Sequence, residues 1–180
     1  DAKRFWEAGR AAVREAHEQG ASGHTVVRLQ SVLTDRLVRA LFSEALAATG
    51  NPSGLTLVAL GGYGRNELAP FSDLDLLVLH RDREPNAAVK AASEKLLYAL
   101  WDQKLEVGYA VRDTRVCAQM AAEDHTARTA LLDLRHLAGD LDLLLGLERA
   151  QLRAVPPARI ETFIADKLGE MRARRERYGD

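Results

Sequence analysis

Apolar residues in the first fifty positions recur at helical intervals. Phe5, Trp6 and Val13 form one run and Leu33, Leu37 and Leu41 another, with Gly20 and Gly23 between them. The spacing predicts helices over Ala2 to Gln19 and Thr25 to Ala48, each laying one face on a core. Asn51, Pro52, Ser53 and Gly54 predict a loop from Thr49 to Gly54. The pattern then changes to continuous apolar runs, which predict buried strands beginning near Leu57 and ending at Leu79, interrupted by a glycine turn. Tyr63 to Leu68 is expected to begin a short helix after that turn. Pro85 and Asn86 open a helix to about Lys104, whose stripe of Val89, Ala92, Leu96, Leu97, Leu100 and Trp101 should cover the sheet. A third strand follows, with Glu106, Gly108 and Ala110 on one face and Leu105, Val107, Tyr109 and Val111 on the other. From Thr114 onward the pattern is helical. Helices are expected over Thr126 to Leu137 and Leu141 to Leu152, separated by Gly139 as a terminator and Asp140 as an N-cap. A last helix from about Pro157 to Tyr178 carries Ile160, Phe163, Ile164, Leu168 and Met171 on one side. Its other side holds Lys167, Arg172, Arg174, Arg175 and Arg177, read as a solvated basic face.

The chemistry is concentrated in LVALGGYGRNELAPFSDLDLLVL, Leu57 to Leu79. Strand side chains alternate faces, so Asp73 and Asp75 project from the same face and can share divalent cations. Two close carboxylates oppose each other's ionisation unless a cation lies between them. Magnesium suits that place, because it takes oxygen ligands and bridges protein carboxylates to substrate phosphates. Gly61, Gly62 and Gly64 let backbone amides approach a triphosphate. Arg65 offers a forked charged donor and Ser72 a hydroxyl to phosphate oxygens. Taken singly, the glycines could be a tight turn, and Arg65 and Glu67 a surface ion pair worth less than about 1 kcal/mol. It is their combination, with two carboxylates set in an otherwise apolar strand, that points to phosphoryl or nucleotidyl transfer. Glu106 is the candidate third carboxylate, as a metal ligand or as the base that takes the acceptor's proton, with Asp113 as its substitute.

The string GGYGRNELAPFSDLDLLVL resembles the signature of the DNA polymerase β-type nucleotidyltransferases. More particularly, with LWDQKLEVGYAVRD (Leu100 to Asp113), it resembles the N-terminal catalytic domain of the bacterial PII uridylyltransferase/uridylyl-removing enzymes. The resemblance covers about Thr56 to Asp180. It implies an α+β fold, a small mixed sheet flanked by helices, with helices at both ends of the chain. Residues 1–50 would be N-terminal helices, 51–115 the nucleotidyltransferase core and 116–180 a helical segment packed on it. It also implies that Asp73 and Asp75 hold Mg2+ and that Gly61 and Gly62 hold the triphosphate of UTP. A tyrosine hydroxyl of the PII signal protein would then be the acceptor. Asn66 stands where that family commonly has glycine, a change a turn tolerates. The phosphohydrolase and sensing domains of such enzymes have no counterpart in this sequence. The chain is therefore expected to be an excised transferase domain or a shortened homologue, without deuridylylation or glutamine sensing.

Composition narrows the setting. With 180 residues, 47% of them hydrophobic, the chain can bury a full core. One cysteine, Cys117, excludes an internal disulfide, and five scattered histidines offer no zinc spacing and are expected at the surface or at caps. Twenty-five basic against 26 acidic residues leave a net charge of −1, which argues against a nucleic-acid partner. No apolar run reaches the roughly 18 residues a membrane helix needs, and no secretory signal is visible. A chain starting at Asp1 without Met is expected to have been trimmed, and the cytoplasm is the expected compartment. Three other readings stay open: a same-fold nucleotidyltransferase with another nucleotide or acceptor, a nucleotide-binding regulatory module without catalysis, and an interaction domain.

Overall fold

The computed structural model describes residues 1–154 and 157–179, with the side chains of 1–153 and 160–179. Two antiparallel-packed helices lead in, α1 (Ala2–Glu18) and α2 (Gly23–Ala47). Ser22 caps the second by accepting from the Thr25 amide at 3.2 Å. They are followed by β1 (Leu55–Ala59), the four-residue helix α3 (Gly61–Gly64), β2 (Leu74–His80), α4 (Ala87–Asp102) and β3 (Val107–Asp113). Asn86 starts α4, its side chain accepting from Val89 N at 3.0 Å. Then come α5 (Thr114–Glu123), α6 (His125–Ala130), β4 (Arg135–Gly139), α7 (Leu141–Ala154) and α8 (Pro157–Tyr178).

The four strands form one sheet in the order β3-β2-β1-β4. β2 lies parallel to β3, and β1 lies antiparallel to both β2 and β4. The parallel pair is joined across α4, as a parallel connection requires. One face of the sheet, with Leu74, Leu76 and Val78 of β2, packs into a core with residues of α1, α2 and α4 such as Trp6, Leu37, Phe42 and Leu96. The other face, with Val58, Leu77 and Leu79, packs against Cys117, Ala118 and Ala121 of α5 and Leu144 and Leu147 of α7. This is the expected α+β architecture, a small mixed sheet with helices on both faces.

The largest departure from expectation lies at Thr126 to Leu137. The helix there stops at Ala130, and Arg135–Gly139 is an edge strand on β1. Leu131, Leu134 and Leu137 fall three apart and imitate a helical stripe, but Leu137 packs on one sheet face while Leu131 and Leu134 belong to the core of the other. Gly139 ends this strand rather than a helix. Its φ is +95° and a Cβ there would lie 2.4 Å from the Leu55 carbonyl oxygen. Asp140 caps α7 as expected, accepting from Asp142 N at 3.1 Å. His80, expected at the surface, is buried at the end of β2, its Nδ1 lying 2.8 Å from the Asp82 carbonyl oxygen. Trp101, placed in the covering stripe of α4, is half exposed. Among the described residues no helix is long and apolar enough to cross a membrane.

Candidate active site

The site is built where β1 runs into α3 beside the start of β2. Every residue of β2 is buried except Asp75. Its carboxylate lies between two glycines from different elements. A Cβ on Gly61 would stand 3.4 Å from Asp75 Oδ2, and one on Gly108 of β3 would stand 2.5 Å from Oδ1. Register explains this placement, because Asp75 pairs with Gly108 in the parallel ladder and paired residues share a face. The Leu60 amide, just before α3, donates to the Asp75 carbonyl at 3.0 Å and fixes the glycine turn against the strand.

Asp73 precedes the strand and is exposed, as is Ser72. The Asp75 carboxyl has its pKa raised, first by burial and then by the charge of Asp73. Asp73 and Asp75 thus feel each other, and no ion pair with a basic side chain of the described residues relieves either. Glu106 is exposed and immediately precedes β3, its carbonyl accepting from Leu74 N at 2.8 Å. It stands two residues before Gly108, the ladder partner of Asp75, so only an extension of the β3 alternation beyond the strand would put it on the Asp75 face. Asp113, its possible substitute, is committed elsewhere: it is buried and caps α5 by accepting from Arg115 N at 2.7 Å and Val116 N at 3.1 Å. No group of three or more His, Cys, Asp or Glu among the described residues is placed to hold a metal. A donor set of two mutually repelling carboxylates fits a hard divalent cation that draws its remaining oxygens from water and phosphate.

The glycine turn differs in detail from expectation. The helix begins at Gly61 rather than Tyr63 and ends at Gly64, so the glycines themselves form its first turn. Amides in a first helical turn have no partner within the helix, and here they lie beside Gly61 and Gly62. The Gly64 amide donates to the Leu60 carbonyl at 2.8 Å. A Cβ on Gly64 would stand 1.8 Å from the Asp133 carbonyl oxygen, so its place in the turn is dictated by the chain crossing behind it. Asn66 takes φ +60°, the left-handed conformation that the family's glycine would supply. Arg65 is engaged by two carboxylates, with Nε 3.0 Å from Glu67 Oε2 and Nη1 2.5 Å from Asp133 Oδ2.

Sequence reasoning missed the support behind the turn. Arg135 of β4 binds Asp35 of α2 with both arms of its guanidinium, at 2.6 and 2.9 Å. It also donates to the carbonyls of Tyr63 at 3.0 Å and Gly64 at 3.2 Å, and lies 5.1 Å over the Tyr63 ring. The Tyr63 hydroxyl is buried, and burial together with the charge of Asp35 raises its pKa. The signal in the sequence was an arginine among Leu131, Leu132, Leu134 and Leu137, hidden by the helical spacing of those leucines.

A small mixed sheet with one carboxylate on a strand, a second just before it and a glycine turn beside them is the arrangement of a nucleotidyltransferase. Residues 8–129 match the model of the DUF294 nucleotidyltransferase family, and the chain belongs to that family. It is 40% identical over 177 residues to the bifunctional uridylyltransferase/uridylyl-removing enzyme of Caulobacter vibrioides, covering 95% of this chain and 19% of that protein. The Azospirillum brasilense protein of the same name is 41% identical over 179 residues, 96% of this chain and 19% of that one. The chain therefore spans about one fifth of the length of these curated relatives. A solved toxin–antitoxin structure with AMP-PNP matches 75% of this chain and 96% of its own with 19% identity and a TM-score of 0.37, a likeness too slight to carry any argument.

Proposed function

We propose that this chain transfers UMP from UTP to a tyrosine hydroxyl of a PII-type signal protein, with Mg2+ held by Asp73 and Asp75, in the cytoplasm. The observation that carries the reading is the Asp73–Asp75 pair beside the glycine turn, where burial and then the charge of Asp73 raise the Asp75 pKa and no basic side chain among the described residues is paired with either carboxylate. The kinship with uridylyltransferase/uridylyl-removing enzymes supports the choice of nucleotide and acceptor. A bound magnesium ion would polarise the α-phosphate and lower the pKa of the attacking hydroxyl. The phenolic oxygen bonds to the α-phosphorus, the bond to the bridging oxygen of the β-phosphate breaks, and pyrophosphate departs. A phenol has a pKa near 10 in water, so its proton needs an acceptor, and Glu106, just before β3, is suited to take it. The amides of Gly61 and Gly62 and the Ser72 hydroxyl would hold the β- and γ-phosphates in line. Arg65 could join them only by leaving Glu67 or Asp133.

The test is titration calorimetry of UTP, CTP, ATP and GTP with and without Mg2+, on the wild type and on the double variant Asp73→Asn, Asp75→Asn. Transfer of label from α-labelled UTP to a PII protein is then assayed. Magnesium-dependent UTP binding that the double change removes is expected. Binding that ignores the two substitutions, or no nucleotide binding, would overturn the reading, and preference for another nucleotide would replace UTP.

A further inference from the structure

A small apolar cavity of about 160 Å³ opens on the same sheet face as Asp75. Its walls include Leu60, Leu77, Ala110 and Leu131. It neighbours the carboxylate site along the same elements: Leu60 is the residue bonded to the Asp75 carbonyl, Leu77 is two residues along β2 from Asp75, and Ala110 is two along β3 from Gly108. A cavity of about 150 Å³ is known to admit one six-membered ring. A base could therefore enter it while its phosphates stay at the glycine turn.

Arg112, two further along β3, also lines this cavity. Its guanidinium is unusual in its company. Among the described residues its hydrogen-bond partner is the Met120 thioether, Nη1 to Sδ 2.7 Å, a weak acceptor for a full positive charge. Every other wall of the cavity is apolar apart from the Cys117 thiol, whose pKa burial raises to about 11, leaving it neutral. A half-buried cation with donors to spare therefore faces a ring-sized apolar slot.

We propose that this cavity is the nucleobase subsite and that Arg112 selects a base with a carbonyl edge, uracil, over one with an amino edge, cytosine. The inference rests on the nucleotidyl-transfer reading above. A guanidinium has five donors and no acceptor. It can donate to the exocyclic oxygen that uracil offers, whereas the amino group of cytosine at that position would meet it donor to donor. Inside an apolar cavity those groups have nowhere else to bond, so the mismatch is expensive and discriminates strongly.

The chain's two methionines supply a probe, since Met120 lines the cavity and Met171 lies on α8 away from it. Protein labelled with [13C-methyl]methionine is titrated with Mg–UTP, Mg–CTP and Mg–tripolyphosphate, and affinities are measured in parallel on wild type and Arg112→Gln. UTP is expected to move the Met120 resonance and leave Met171 in place, tripolyphosphate is expected to move neither, and UTP is expected to bind about tenfold or more tighter than CTP. In Arg112→Gln, whose amide both donates and accepts, that preference should fall to near unity while tripolyphosphate affinity is unchanged. UTP binding with Met120 unmoved, or an undiminished preference in the variant, would overturn the subsite and leave nucleotidyl transfer standing. Failure to bind UTP or tripolyphosphate would overturn both.

Discussion

The short helix α3 is served by a carboxylate network at each end, and the two differ in how their charge is balanced. At its carbonyl end Asp35 receives both arms of Arg135, which also satisfies the carbonyls of Tyr63 and Gly64. The two side chains are 14% and 19% exposed, so the pair is largely removed from water and complete within the protein. At its amide end Asp75 lies between two glycines with Asp73 as its charged neighbour, and no basic side chain among the described residues pairs with it. One carboxylate holds the turn in place. The other is left to be neutralised from outside, which is what a metal–substrate centre needs.

This contrast can be broken by substitution. On the proposed assignment Asp75→Asn should reduce transfer by more than about a hundredfold, since loss of a direct metal ligand would exceed the loss from changing its supporting partners. The same variant should melt no lower than wild type, read by calorimetry, and a destabilised variant would contradict the assignment of Asp75 to function. Arg135→Ala should do the reverse in kind, costing about 3 kcal/mol in denaturant unfolding because it leaves the Asp35 charge with the half-exposed Arg39 at 3.6 Å as its partner. Gly108→Ala should lower transfer by roughly ten- to a hundredfold with a melting temperature close to wild type. Its methyl group would displace the Asp75 carboxylate, and small misplacements of reacting groups carry penalties of that size. Glu67→Gln, at the exposed ion pair with Arg65, should change stability by less than about 1 kcal/mol.

The smallest effect is a pH dependence. Because the folded pKa of Asp75 is raised above its ordinary value of 3.8, its contribution to stability is fully present below that value and is lost as pH rises through the raised one. The melting temperature of Asp75→Asn should therefore match wild type in acid and exceed it at neutral pH. Added Mg2+ should close that gap by stabilising the wild type alone. A difference that grows toward acid would contradict the direction of the shift.

The placement of Asp75 on the sheet was legible in the sequence, because strand alternation and the cost of charge in an apolar run are local rules, whereas Asp73 and Glu106 stand just outside β2 and β3, where alternation alone does not place them. The lead-in helices and α4 were legible for the same reason: their stripes and the Asn86 cap are local. What escaped was long-range. Leu131, Leu134 and Leu137 satisfy a helical period, and only the sheet decides that Arg135–Gly139 pairs with β1. The role of Gly64 escaped too, since it depends on the chain at Asp133 crossing it. Arg65 shows the same limit. Its charge suits phosphate, yet Asp133, distant in sequence, comes within bonding distance.

The partners of Arg135 lie far apart along the chain, with Asp35 separated from it by 100 residues and Gly64 by 71. Local helices form quickly, whereas contacts of such separation wait for the intervening chain to be organised. During synthesis, α2 and the glycine turn leave the ribosome well before the strand that locks them together. Pulse-labelling hydrogen exchange on the refolding protein should accordingly protect the amides of α2 before those where β1 meets β4. Assembly of the glycine turn is thus expected to come late, and a nascent chain stalled before Arg135 would carry both aspartates and yet lack the clamp that sets the turn beside them.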